Sequence, residues 1–214
     1  MTTQPWDGSD RLVAIDIETT GRRMPKLEDI RKAPKGLRQP GLVIEIGCIE
    51  LLRDGKGENG GWTKGRTWET RVNPDAPIHP DAIKVHNIRP NDLKTAPRFP
   101  QVVEEMMAFL GDDPLIAHAY ENEMDFLNYE FARMGRVPWG TEVFGSSRFL
   151  CTKEMSHEHF PGASGSLDAL CDRLWLDRSD RFAHHGALLD ADLTADAFLK
   201  MAYGDLGPRD ASFG

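Results

Sequence analysis

"RLVAIDIE", residues 11–18, alternates with period two and reads as a β-strand. Strand alternation puts Leu12, Ala14, Asp16 and Glu18 on one face and Val13, Ile15 and Ile17 on the other. Two carboxylates two residues apart inside an apolar strand repel each other and are poorly solvated there. A divalent cation held between them relieves both costs. An exposed strand end, with both acids simply in water, does so too, and the letters DIE do not choose between the two.

Outward from this strand the chain reads as alternating elements. Residues 19–41, TTGRRMPKLEDIRKAPKGLRQPG, carry prolines, glycines and seven basic side chains, so 22–41 is expected to be a surface insertion. LVIEIGCIELL (42–52) reads as a second, mostly buried strand and RDGKGENGGWTKG (53–65) as a loop. RTWETRVNP (66–74) is the strand returning from it, which makes a hairpin. Helices are expected over 79–88, 99–111 and 122–135, the last ending at Gly135. Short strands are expected at 114–119 and 146–152. Ser166 is positioned to cap a helix over 166–176, and 184–201 form the final helix. Strands first, then helix and strand in alternation, point to an α/β domain with a mixed sheet covered by helices. Residues 1–10 read as a flexible polar lead-in and 204–214 as a short tail.

Composition narrows the classes. The 214 residues suffice for one good-sized core, and 40% hydrophobic with 28% charged residues argues against wholesale disorder. No apolar run approaches the roughly 20 residues of a membrane span, and no signal peptide is visible in MTTQPWDGSDR. Cys48, Cys151 and Cys171, an odd number at scattered spacing, read as buried thiols of a reducing cytoplasm, with no disulfide or zinc framework. The net charge of −8 is unlike that of a protein that grips nucleic acid by phosphate neutralisation alone. Bound divalent cations could invert the local field, although an acidic surface kept for solubility accounts for the charge as well.

The closing helix contains three aspartates. At about 100° per residue, Asp190 lies on the stripe of Leu193, Ala197 and Met201 that should face the sheet. Asp192 and Asp196 fall opposite, with Lys200 four residues on, as a solvent-facing ladder would have them. Burial of Asp190 is therefore the feature needing an explanation. His185, in the loop entering the helix, is a candidate general base beside a metal-binding acid, and His184 a bystander. In ENEMDFLNYEFARM, Glu123 flanks the apolar stripe Met124, Leu127, Phe131 and Met134, whereas Asp125 points away.

Together DIETTG (16–21), IEIG (44–47), VHNI (85–88), FLNYEF (126–131), FPG (160–162), SLDALC (166–171) and HGALLDA (185–191) run in the order of a known family. The chain resembles the DEDDh-type 3′–5′ exonucleases of the ribonuclease H-like fold, nearest the branch that proofreads for bacterial replicative DNA polymerases. The resemblance spans residues 11 to 201. It implies a five-stranded mixed sheet flanked by helices in an exonuclease domain over 11–203. The implied reaction is stepwise hydrolysis at DNA 3′ ends, single-stranded or frayed, releasing nucleoside monophosphates. Two divalent cations, Mg²⁺ or Mn²⁺, are implied as cofactors. Asp16, Glu18 and Asp190 would ligate the tighter one, Asp16 would also touch the second, and His185 would be the base that activates water. The backbone of Thr19 and Thr20, with Val85 and His86, would line the terminal-nucleotide pocket.

The second motif departs from the family's H-N-A-x-F-D, since HAYENE (118–123) has Ala119 for the asparagine and Glu123 for the aspartate. By the resemblance Glu123 would act on the second metal through water, with Asp125 as fallback. The basic insertion, longer than the family's usual one, could contact a DNA backbone. A polymerase subunit is the implied partner, although no clamp-binding peptide or recruiting tail is visible before Gly214. Two other readings stand beside this one: an RNA 3′-end trimmer of the same superfamily and a catalytically weak polymerase-associated subunit. SHEHF (156–160) lacks zinc-helix spacing and reads as surface, His118 as structural, Cys171 as core, and Trp62, Trp68, Trp139 and Trp175 as core or edge packing.

Overall fold

Leu12, Val13, Ala14 and Ile15 are all fully buried, so β1 (Arg11–Thr19) is covered on both faces and lies in the middle of a sheet. The computed structural model describes residues 6, 8–21, 41–55, 60–138, 141–182, 185–204 and 206. The insertion expected at 22–41 lies outside these residues except for Gly41, as do most of the lead-in and tail, Trp139 and His184.

Among the described residues five strands form one sheet: β1, β2 (Val43–Arg53), β3 (Trp62–Arg71), β4 (Leu115–Ala117) and β5 (Phe149–Cys151), in the order β3-β2-β1-β4-β5. The β1–β2 and β2–β3 pairs are antiparallel, and β1–β4 and β4–β5 are parallel. This is the mixed α/β sheet expected from the sequence. The helices are α1 (Pro80–His86), α2 (Phe99–Leu110), α3 (Glu121–Arg133), α4 (Thr152–His159), α5 (Leu167–Arg173) and α6 (Ala187–Tyr203), with a 3₁₀ turn at Ser179–Phe182. Ser166 caps α5 as expected, its hydroxyl accepting from the Ala169 N–H at 3.3 Å.

The two faces of β1 enter different cores. Val13, Ile15 and Ile17 pack with Val103 and Met106 of α2 and Leu127 of α3. Leu12 and Ala14 pack with Ala191, Ala195 and Phe198 of α6. The face that carries Asp16 and Glu18 is therefore the face covered by the closing helix.

Several expectations need correction. Trp6, inside the expected loose lead-in, is buried and edge-on to Phe198 with ring centroids 5.1 Å apart. Its indole N–H donates to Tyr203 Oη at 2.9 Å, and that oxygen also accepts from Trp62 at 3.0 Å. β3 begins at Trp62, inside the stretch read as loop. Residues 152–159 form α4, so all of SHEHF but Phe160 is helical, with Ser156 buried and His157 and Glu158 exposed. Asp192 and Asp196 both pair with Lys64 of β3 at 2.7 Å, while Lys200 donates to the Leu174 carbonyl. The ladder expected along one helix is thus a clamp between helix and sheet. Trp175 is 87% exposed and packs in neither core. The three cysteines are free and buried, and no described helix is long and apolar enough to cross a membrane.

Candidate active site

The motif IEIG explains how the closing helix reaches the first strand. Gly47 lies opposite Asp16 in the β1–β2 register. A Cβ on Gly47 would sit 2.1 Å from the Leu188 nitrogen, so glycine is what lets the first turn of α6 lie directly on the sheet. Glu45, opposite Glu18, is buried and accepts from the Ala187 N–H at 3.0 Å and from Arg71 Nε at 3.1 Å. Those bonds satisfy a first-turn amide of α6 and partly neutralise an acid that faces another acid. Asp190 follows one turn later and is brought over the end of β1.

Glu18, His185 and Asp190 then each offer a ligand atom, all within 4.8 Å of one another. His185 Nδ1 lies 3.6 Å from Asp190 Oδ2. Asp16 stands in the same field: burial pushes its carboxyl well above the usual range, and the charges of Asp190, Glu123 and Glu18 push it further. Glu18 is raised to about 8 by burial, then by Asp190 and Glu45. Glu123, from the first turn of α3, is 3% exposed and raised to about 8 by burial, then by Glu121 and Glu18. Asp125 has Glu121 and Glu142 as its charged neighbours. Asp190 is the exception. Burial would raise it, but His185 and Arg181 outweigh that and hold it below the ordinary carboxylate range.

These residues fit a divalent cation. Glu18 and Asp190 stand together with His185, Asp16 and Glu123 share their electrostatic field, and proton uptake is the alternative to a positive ion there. Glu123 Oε2 is buried with no hydrogen-bond partner among the described residues.

Thr19, Thr20, Val85 and His86 lie beside this cleft, in two parts. A groove of about 1200 Å³ is lined by Thr20, Leu42, Ile78, His79 and Val85 among others, but by none of the four acids, nor by Thr19 or His86. The Thr20 hydroxyl accepts from the Leu42 N–H at 2.9 Å and its carbonyl from the His79 N–H at 2.7 Å, which fixes this backbone. The His185 N–H donates to the Val85 carbonyl at 3.4 Å, tying the histidine loop to α1. His86 is buried, its Nδ1 accepting from the Ile88 N–H at 2.9 Å, and burial lowers its pKa. His118 bonds Thr152 Oγ1 at 3.0 Å and the Gly165 carbonyl at 2.9 Å, the structural role expected of it.

Three site-building residues were not singled out from the sequence. Glu45 carried the signal already used for Asp16, an acid inside an apolar strand. Arg181 and Asp168, which bear on Asp190 from outside α6, carried none.

The exonuclease family model, of the RNase T type, matches residues 13–198. The epsilon subunit of DNA polymerase III from Haemophilus influenzae is 34% identical over 196 residues, covering 91% of this chain and 68% of the relative. That of Escherichia coli is 32% identical over 194 residues, covering 91% and 72%. Among solved structures, the nuclease domain of 3′hExo, a DEDDh family member bound to rAMP, superposes with a TM-score of 0.65 at 18% identity, covering 90% of this chain and 91% of that one. Exonuclease X in complex with 5′ overhanging duplex DNA gives 0.61 at 21% identity, covering 89% and 90%. The fold is thus ribonuclease H-like, and the family uses divalent metal. The chain belongs to the exonuclease family of the DNA polymerase III epsilon subunits and is a 3′–5′ exonuclease.

Proposed function

We propose that this exonuclease acts on DNA, removing nucleoside monophosphates one at a time from single-stranded or frayed 3′ ends in proofreading or repair. The gathering of Glu18, His185 and Asp190 within 4.8 Å carries the reading, with Asp16 and Glu123 in the same electrostatic field. Asp16, Glu18 and Asp190 would hold one cation of Mg²⁺ or Mn²⁺, and Asp16 with Glu123 a second. When bound, such a pair lowers the pKa of water and steadies the departing 3′ oxygen.

The chain's own residues do the rest. His185 takes a proton from the attacking water. Its Nδ1 is turned toward Asp190, which leaves Nε2 to receive that proton and lets the carboxylate steady the imidazolium. The backbone at Thr19 and Thr20, held by Leu42 and His79, with Val85 and His86, would seat the terminal nucleotide. A DNA polymerase is the partner suggested by the relatives, and the three buried free thiols favour the cytoplasm.

The test is loss of label from 3′-labelled DNA and RNA of one sequence, with Mg²⁺, Mn²⁺ or EDTA. DNA is expected to be degraded faster, only with metal, and not by Asp16→Ala. His185→Ala should lose about 10²–10⁴-fold in rate. Faster loss from RNA would favour 3′-end trimming of RNA. Unchanged loss in EDTA would remove the metal mechanism.

A further inference from the structure

Arg181 precedes α6 in the 3₁₀ turn at Ser179–Phe182 and is 9% exposed. Its Nε donates to Asp190 Oδ1 at 2.5 Å and its Nη2 to Asp190 Oδ2 at 2.8 Å. Both carboxylate oxygens of a metal-ligand candidate are thus engaged by one planar guanidinium, a two-point pair out of water. The remaining nitrogen, Nη1, donates to Asp168 Oδ1 of α5, a side chain 45% exposed. Arg181 therefore spans a buried acid and a solvent-facing one. Its charge also reaches Asp16 and Glu18, where it opposes the upward push of burial.

A buried carboxylate left alone is costly, and a guanidinium beside it supplies the compensation that a divalent cation would. The two cannot both sit fully on Asp190 without mutual repulsion. Asp168 offers the guanidinium somewhere to go, because it is already bonded through one nitrogen and lies where solvent can screen the pair.

Building on the reading of Asp190 as a cation ligand, we propose that Arg181 is a positioning residue that holds the Asp190 carboxylate before the cation arrives, then yields it by shifting onto Asp168. The geometry gives the two partners of Arg181 opposite effects. Asp190 is the group for which guanidinium and cation compete, and Asp168 is the anchor that draws the guanidinium away.

The test is Mn²⁺ titration calorimetry of the full chain as wild type, Arg181→Gln, Arg181→Lys and Asp168→Asn, with melting temperatures in EDTA and in Mn²⁺. Arg181→Gln should bind Mn²⁺ about tenfold more tightly, within the range of coupling between two sites, and melt lower in EDTA. Arg181→Lys, with one point charge, should fall between it and wild type. Asp168→Asn should bind several-fold more weakly. A simple loss of structure would not move the two affinities in opposite directions. A folded Arg181→Gln with unchanged or weaker affinity overturns the proposal, as does Asp168→Asn with unchanged or tighter affinity; the latter decides the matter if Arg181→Gln does not fold. Wild type that binds no Mn²⁺ would instead sink the cation-site reading, and this proposal with it.

Discussion

Ala119 has φ +62°, in the left-handed region, immediately before the helix that carries Glu123. The family motif has asparagine here, a residue that visits this region readily, whereas alanine's Cβ meets the following carbonyl. The substitution therefore stores strain of about 1 kcal/mol at the entrance to α3. Ala119→Gly is expected to raise unfolding free energy by about 0.5–1 kcal/mol in urea titration. An unchanged or lower midpoint would mean that the backbone relaxes elsewhere. Glu123, four residues later, is buried within the electrostatic field of Asp16 and Glu18. The helix-face reading could choose it over Asp125, because inward direction is a matter of periodicity. The left-handed turn before it has no periodic signature.

At the scale of elements, α6 is placed by what β2 lacks. Gly47→Ala would drive a methyl group into the Ala187–Leu188 backbone. It should cost about 1–3 kcal/mol as overpacking, and a shift of Asp190 by about an ångström could lower turnover on the order of 10²-fold. Denaturant midpoint and kcat, measured together, check this, and loss of neither would mean that the helix tolerates displacement. The same element marks the reach of the sequence. β1, β2, α2, α3 and α6 announce themselves because one face of each is apolar at a regular period. α4 does not, because its buried side chains include Thr152 and Ser156, bonded to His118 and Arg173. β3 is an edge strand with mostly exposed polar side chains, so its start at Trp62 carries no alternating signal and reads as loop. Asp192 and Asp196 were rightly turned away from the core, yet their partner came from another element. Lys64 is over a hundred residues distant, beyond any local pattern. For the site, helix phase selected Asp190 and Glu123 as inward acids, whereas strand alternation put Asp16 and Glu18 on one face without choosing between a cation and water. What holds them, Glu45, Gly47 and Arg181, is long-range.

For the whole molecule, the acidic balance has its sharpest expression in this cleft. Without a cation, Glu18 and Glu123 are raised from an ordinary 4.5 to about 8, mainly by burial. A carboxyl raised on folding favours the folded state while protonated. Its contribution is fully present below about 4.5 and is lost as pH climbs through about 8. Glu50 behaves oppositely. Hydrogen bonds from Arg66, joined by Arg11, outweigh burial and lower it to about 2, so its contribution holds above ordinary carboxylate pH and fades only toward pH 2. In EDTA the melting temperature is therefore expected to fall between about pH 5 and pH 8 on account of Glu18 and Glu123. Manganese should flatten that fall, and the double variant Glu18→Gln, Glu123→Gln should show a shallower one, with Asp16 the raised carboxyl that remains. A metal-free profile that rises across this window in wild type and double variant alike would contradict the assignment.

The far end of α6 has a consequence for that cleft. Tyr203 is tethered by two indoles, from Trp6 and Trp62, while the near end of the helix is seated on Glu45 and Gly47. A rod pinned at both tips has little freedom to tilt or slide. The Asp190 seat is thus pre-organised by the fold, and an arriving ion need not spend its binding energy on ordering the helix.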